Sequence, residues 1–144
     1  MSSLLHSEEN FGIVVHGGAG VMSGLSEERQ QQIHKKIQET VSEAYEILEN
    51  GGSSFDAVEL AVSMLEDSPL FNAGRGSVYN SDEVQEMDAS IMDGKNRLSG
   101  AVASVSTVKN PIKLARKVAE ETKHVLLVGE GACLLYTSPS PRDH

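Results

Sequence analysis

Tryptophan is absent, and aromatic residues make up only 4% of the 144-residue chain. So sparse a complement offers no platform on which nucleic-acid bases could stack. Positive charge is short as well: 12 Lys and Arg stand against 21 Asp and Glu, a formal charge of −9. Phosphate backbones are bound by clustered basic side chains. Here they are scattered, and a tight pair, Lys35-Lys36, falls inside a helical pattern. No nucleic-acid partner is expected. A single cysteine, Cys133, excludes an internal disulfide and a Cys-based metal cluster. It has no evident base partner, so it reads as inert. No apolar run approaches the length of a membrane helix, so no membrane partner is expected. The first residues, MSSLLHSEEN, carry neither a basic n-region nor an apolar h-region, which makes the cytoplasm the expected location. A Gly-Lys-Ser/Thr phosphate loop and a Gly-x-Ser-x-Gly serine elbow are both missing.

What is present is ordinary for one soluble domain: 39% hydrophobic and 23% charged residues, in a chain long enough to bury a core. Phe11-Gly12-Ile13-Val14-Val15-His16 predicts a buried strand, ending at a tight loop, Gly17-Gly18-Ala19-Gly20. A helix is expected from Ser26, an acceptable N-cap, with Ile33, Ile37, Val41, Ala44, Tyr45 and Leu48 on its apolar face. Asn50-Gly51-Gly52 ends it. Ser53 and Asp56 resemble a capping box for a second helix, with Ala57, Val58, Ala61, Val62 and Leu65 as its stripe; Pro69 bars continuation.

A glycine-punctuated loop follows, and then the period changes to two. Met87, Ala89 and Ile91 alternate with Asp88, Ser90 and Met92, and Asp93-Gly94-Lys95-Asn96 is a hairpin-type turn. A second strand is expected over residues 98–108. Asn110-Pro111 reads as an N-cap with proline at the first helical position, and Ile112, Ala115, Val118 and Ala119 give that helix its buried face. Residues 124–128 read as another buried strand, closed by Gly129-Glu130-Gly131. The hairpin disfavours a purely parallel sheet, so the class is α+β. From Cys133 onward the periodicity is lost, and residues 133–144 read as a disordered tail or as a scar of cloning or of a wrongly assembled transcript. The expected division is a flexible stretch at 1–10, a folded part at 11–132 and an unrelated tail at 133–144.

Individual motifs carry little chemistry. Gly17-Gly18-Ala19-Gly20 fails the dinucleotide spacing, and the next helix starts several residues too late. The five histidines, at 6, 16, 34, 124 and 144, show no metal-ligand spacing, and His16 and His124 read as structural. Asp88 and Asp93 could be paired carboxylates, but strand alternation and a turn explain both. Glu66-Asp67 lies at the unfavourable negative end of a helix dipole. A nearby cation would relieve this; a solvated acidic helix end is the plainer reading.

Several motifs taken in order do resemble a family. They are residues 16–20 (HGGAG), 71–77 (FNAGRGS), 87–94 (MDASIMDG) and 100–103 (GAVA), joined by Asn110-Pro111-Ile112 and Leu114-Ala115-Arg116. They look like the isoaspartyl peptidases/L-asparaginases, plant- or bacterial-type, of the N-terminal-nucleophile hydrolases. The likeness runs from Gly12 to about Ala132.

The resemblance implies a four-layer αββα sandwich, of which only the amino-terminal, alpha-subunit part is here. It implies a precursor that cuts itself and frees a threonine, which is nucleophile and base at once because its own α-amino group takes the hydroxyl proton. Substrates would be L-asparagine and β-aspartyl dipeptides. Asn72 would orient the nucleophile, and His16, Gly17 and Gly18 would support the autoprocessing loop. Residues 65–75 look like the family's sodium loop, with the backbone carbonyls of Leu65, Glu66, Ser68, Phe71, Ala73 and Arg75 holding Na+ or K+; no organic cofactor is implied. Expected partners are the small-molecule substrate, a complementary beta subunit, and a second alpha–beta unit completing a dimer.

One departure matters. The family's nucleophile opens a Thr-Val-Gly motif after a glycine-rich linker, whereas Thr40, Thr107, Thr122 and Thr137 follow Glu, Ser, Glu and Tyr. The chain is therefore expected to be inactive alone. Alternatives are a non-catalytic partner of a full-length enzyme and a glycosylasparaginase; the lack of a signal peptide and of structural cysteines weighs against the latter.

Overall fold

Local capping signals set the helix boundaries. A computed structural model describes residues 11–20 and 22–137. Helix α1 spans Glu27–Glu49, and the Ser26 hydroxyl accepts from the Arg29 amide at 3.2 Å. It ends where Gly51, with φ +79°, lets the Gly52 amide reach back to the Ile47 carbonyl at 2.8 Å. Helix α2 spans Ser54–Glu66; the Ser53 hydroxyl accepts from the Asp56 amide at 3.0 Å and donates to the Asp56 carboxylate at 2.7 Å. The two helices pack side by side over a small cluster of Ala44, Ala57 and Ala61.

Strands β1 (Met87–Asp93) and β2 (Leu98–Val105) form the expected antiparallel hairpin, with Asp93 opposite Leu98. β3 (Leu126–Val128) adds in parallel beside β2, giving the order β1-β2-β3. Helix α3 (Pro111–Glu121) lies across one sheet face and buries Ile112, Leu114, Ala115 and Val118 against Ile91, Val102 and Val105. It comes so close that a Cβ on Gly100 would stand 2.5 Å from the Ala119 amide nitrogen. Helices on one side of a mixed three-stranded sheet built around a hairpin make the fold α+β.

No helix or strand among the described residues covers the opposite sheet face. Register places Ser90, Ala101 and Leu126 in one row and Ala103 beside Val128 in another. Met92, Leu126 and Val128 there are 65%, 52% and 56% exposed. At the sheet edge with one face uncovered, β3 is therefore not the buried strand expected over residues 124–128.

Three further expectations need correction. Residues 11–16 form no strand, because no strand among the described residues lies beside them to complete a ladder. The segment keeps a strand's alternation: Ile13 and Val15 pack on the α1–α2 cluster while Val14 is 94% exposed. Gly129-Glu130-Gly131 does not close β3 as a loop but opens helix α4 (Gly129–Thr137), with Gly129 at φ +62° making the corner. The boundary expected after Ala132 therefore falls inside a helix. Ala132 is fully buried and Cys133 and Leu135 lean on the main core, which is why the helix runs on. The rest of the expected tail, residues 138–144, and the expected flexible stretch at 1–10 lie outside the described residues. No helix among the described residues is long and apolar enough to cross a membrane.

Candidate functional site

Helix α2 delivers the chain into the loop at residues 65–76, which closes on itself. The Ser68 amide donates to the Leu65 carbonyl at 3.1 Å, and the Gly76 amide to that of Ala73 at 3.0 Å. The Ser68 hydroxyl accepts from the Leu70 amide at 3.3 Å. Arg29 of α1 reaches the Pro69 carbonyl from outside at 3.4 Å.

Glycine is required twice here. Gly74 has φ +50°, and a Cβ there would stand 2.5 Å from the Glu66 carbonyl oxygen. A Cβ on Gly76 would collide with the Phe71 carbonyl oxygen and lie 3.2 Å from that of Ser68. Three of the six carbonyls expected to hold a cation therefore lie against these glycines, and that of Ala73 keeps a lone pair after its one loop bond. Neutral oxygens in a tight loop are a donor set that suits a hard cation of low charge. No group of three or more His, Cys, Asp or Glu among the described residues could hold a metal.

Phe71 is buried and joins this loop to the first glycine loop: a Cβ on Gly17 would be 3.0 Å from its ring and 3.0 Å from Ile37. Next to it Asn72 is exposed, its Oδ1 accepting from the Val78 amide at 3.0 Å. His16 is held by its own loop, Nδ1 accepting from the Gly18 amide at 3.1 Å, with Gly18 at φ +107°. His16, Gly17 and Gly18 on one side and Leu65, Phe71 and Asn72 on the other line an open cleft of about 760 Å³. Of the residues singled out by resemblance, these six and Ala73 thus line one cleft, while Glu66 and Ser68 do not. Arg75 lines a separate cleft with Asp67 and Lys109.

Glu66 and Asp67 are where sequence reasoning missed most. Glu66 is not solvated but 3% exposed. Its carboxylate accepts from the Ile112 amide at 2.9 Å and from Asn110 Nδ2 at 3.1 Å. Burial pushes its pKa above the ordinary glutamate value, against the pull of the Ile112 and Asn110 bonds. Asp67 accepts from the same Asn110 amide at 3.1 Å and pairs with Lys109 at 3.1 Å. The Asn110 bond first, then Lys109, holds the exposed Asp67 below the usual range. Asn110 stands at the expected N-cap position, yet its side chain makes no cap bond, and Glu66 takes that role from another helix. An acidic helix end and an Asn-Pro start were both legible; their meeting was not.

The other candidates resolve as structural. Asp88 accepts from the Ser104 amide at 2.8 Å, where Ser104 bulges at φ +52°. Asp93 accepts from the Lys95 amide at 2.9 Å in the hairpin turn. The two stand at opposite ends of β1, roughly 17 Å apart at ~3.4 Å per residue, too far to act as a pair. Arg116 clasps α2 to α3 through Asp56 at 2.7 Å and Glu59 at 3.2 Å, is steadied within α3 by Glu120 at 3.0 Å, and sets its guanidinium 4.7 Å from the Phe55 ring centre. Cys133 bonds to Thr107, which draws its thiol pKa down, but a hydroxyl is no general base at neutral pH.

Comparison with known proteins bears on the same stretch. The family model described as Asparaginase matches residues 9–139. The isoaspartyl peptidase/L-asparaginase of Rattus norvegicus is 52% identical over 120 residues, covering 83% of this chain and 35% of that protein. The plant-type L-asparaginase of Pyrococcus furiosus is 55% identical over the same length, covering 38% of its own chain, and the isoaspartyl peptidase/L-asparaginase of Homo sapiens is 50% identical, also covering 38%. The chain spans little more than a third of these curated relatives. The matched residues take in both glycine loops, the hairpin and α3, and on that extent of likeness the chain belongs to the asparaginase family.

Proposed function

We propose that the chain is the amino-terminal part of a threonine-dependent isoaspartyl peptidase/L-asparaginase, and that its cleft supports an active site completed by a second subunit. The carrying observation is the shared cleft of the His16-Gly17-Gly18 loop and Asn72, two segments far apart in sequence. Names of relatives about half identical over the same residues supply the reaction class.

In the complete enzyme a threonine released by self-cleavage attacks the side-chain amide of asparagine or the isopeptide carbonyl of a β-aspartyl dipeptide. Its α-amino group takes the hydroxyl proton, ammonia or an amino acid leaves, and water releases aspartate. The part played by this chain is positioning. Asn72, anchored through Oδ1 to the Val78 amide, orients the nucleophile. The carbonyls of Leu65, Glu66, Ser68, Phe71, Ala73 and Arg75 would hold Na+ or K+. Such an ion supplies no reacting group; it fixes the loop that carries Asn72.

The open sheet face and the unpaired residues 11–16 fit a second, β-rich subunit that completes an αββα sandwich, two such units pairing as a dimer. Extending the chain to the length of its relatives tests the whole reading. The extended protein should cleave itself ahead of a threonine and hydrolyse both substrates, while the pure 144-residue chain should hydrolyse neither. Hydrolysis by the short chain alone would overturn the incomplete-site reading, and an extended chain that stays uncut would overturn the threonine mechanism.

The exposed Met92, Leu126 and Val128 also favour a second reading, a non-catalytic partner of a full-length enzyme. Co-elution with such an enzyme, without gain or loss of its activity, would support that reading over the first.

A further inference from the structure

Asn110 is 3% exposed, and its side-chain amide is shared between Glu66 Oε2 and Asp67 Oδ1, both at 3.1 Å. One buried group therefore grips two consecutive residues. The peptide unit between them carries the Glu66 carbonyl, the same oxygen that lies against Gly74 in the 65–76 loop. Holding both flanking side chains restricts rotation of that peptide plane. The Glu66 side chain is held from a second direction by the Ile112 amide at 2.9 Å, in the first turn of α3. Asn110 gives up its own cap bond for this arrangement. Transfer of the cap to Glu66 ties α3 to the loop instead of stabilising α3 locally.

We propose that Asn110 is a positioning residue for the 65–75 loop: it sets the direction of the Glu66 carbonyl and so couples monovalent-cation binding in the loop to the docking of α3. The inference rests on the cation reading given above and deepens it. Coupling is reciprocal. An ion that favours the closed loop must also favour the capped first turn of α3, and loss of the Asn110 grip must weaken the ion.

The test uses the 144-residue chain and sodium chloride, with choline chloride holding ionic strength constant. Binding is read from 23Na line broadening, and docking from hydrogen exchange at the Ile112 amide. Asn110→Asp keeps the side-chain shape but turns a donor into an acceptor facing two carboxylates. It should weaken sodium binding by about tenfold or more, within the usual range of coupling. Sodium should slow Ile112 exchange in the wild type and not in this variant. The double change Glu66→Gln with Asn110→Asp reverses donor and acceptor at residue 66 and keeps every backbone carbonyl. It leaves two carboxylates facing each other at positions 67 and 110, so it should bind about threefold or more tighter than the single variant without reaching the wild type. Circular dichroism confirms that the variants remain folded, and the double variant supplies the test if Asn110→Asp alone does not. Full-strength binding by Asn110→Asp, or a folded double variant no better than the single, would overturn the coupling alone. Absence of broadening in the wild type would overturn the cation reading and the coupling together.

Discussion

The Glu66 carboxylate lies 2.9 Å from the Ile112 amide, so the last residue of α2 caps the first turn of α3. A carboxylate at the C-terminus of its own helix sits at the wrong pole, and the same group at the N-terminus of another sits at the right one. Truncation leaves two buried donors, the Ile112 amide and Asn110 Nδ2, without this acceptor. Glu66→Ala should cost about 2–4 kcal/mol, and Glu66→Gln, which keeps an acceptor for Ile112, clearly less. Urea denaturation of the two variants measures both. Equal losses would show that the negative charge, which both variants remove, fixes this junction rather than the hydrogen bond that glutamine retains.

The glycines of the loop offer a sharper contrast. Gly76→Ala forces a methyl group onto the Phe71 carbonyl oxygen, which is backbone and cannot step aside. It should cost about 1–3 kcal/mol. Gly94→Ala, in the hairpin turn with nothing within 4 Å of its Cβ position, should stay within about 0.5 kcal/mol of the wild type. Thermal melts of the pair decide the matter, and comparable losses would mean that the 65–76 loop is less tightly closed than its carbonyl contacts require.

What the sequence made legible was local. Helices α1, α2 and α3 announced themselves because Ser26, Ser53 and Pro111 are start signals and their apolar residues recur at helical spacing. The hairpin did so through Asp93-Gly94 and a period of two. Residues 11–16 have a strand's composition, but a strand exists only with a neighbour, and composition does not say whether one is there. Glycines around Glu130 looked like a loop because each costs a helix about 1 kcal/mol; burial of Ala132 outweighs that. The site divides in the same way. Asn72 and the His16 loop were found through ordered motifs, whereas the grip of Asn110 on Glu66 joins two helix ends 44 residues apart and leaves no periodic trace.

Acid should expose the α2–α3 clasp. The Ser53 hydroxyl first, and then Arg116, hold the Asp56 carboxyl below its ordinary value of 3.8. A carboxylate with a depressed folded pKa adds stability that is present above the unfolded value and is lost as pH falls through the folded one. The wild type should therefore melt above Asp56→Asn at pH 6, and the gap should narrow once pH drops below 3.8. Calorimetry across that range checks the sign. The effect should be small, because Asp56 is nearly half exposed. A gap that widens in acid would assign the clasp to other groups.

The open sheet face sets how the chain behaves in solution. Met92, Leu126 and Val128 stand outward on a three-stranded sheet whose other face is covered by α3, and both edge strands lack a neighbour among the described residues. Apolar groups on such a face lower their free energy by meeting another surface, at about 25 cal/mol per Å² covered, and unpaired edges add a template for pairing. Concentration-dependent association should follow, visible as a rising weight-average mass in sedimentation equilibrium. Met92→Lys with Val128→Lys should lower that association without touching the α3 core, so the melting temperature should hold at low protein concentration. The same double change in the extended protein should impair pairing with the second subunit, read as loss of co-purification after self-cleavage. A double variant that associates as strongly as the wild type would move the interface to another surface, such as the half-buried stripe of α1.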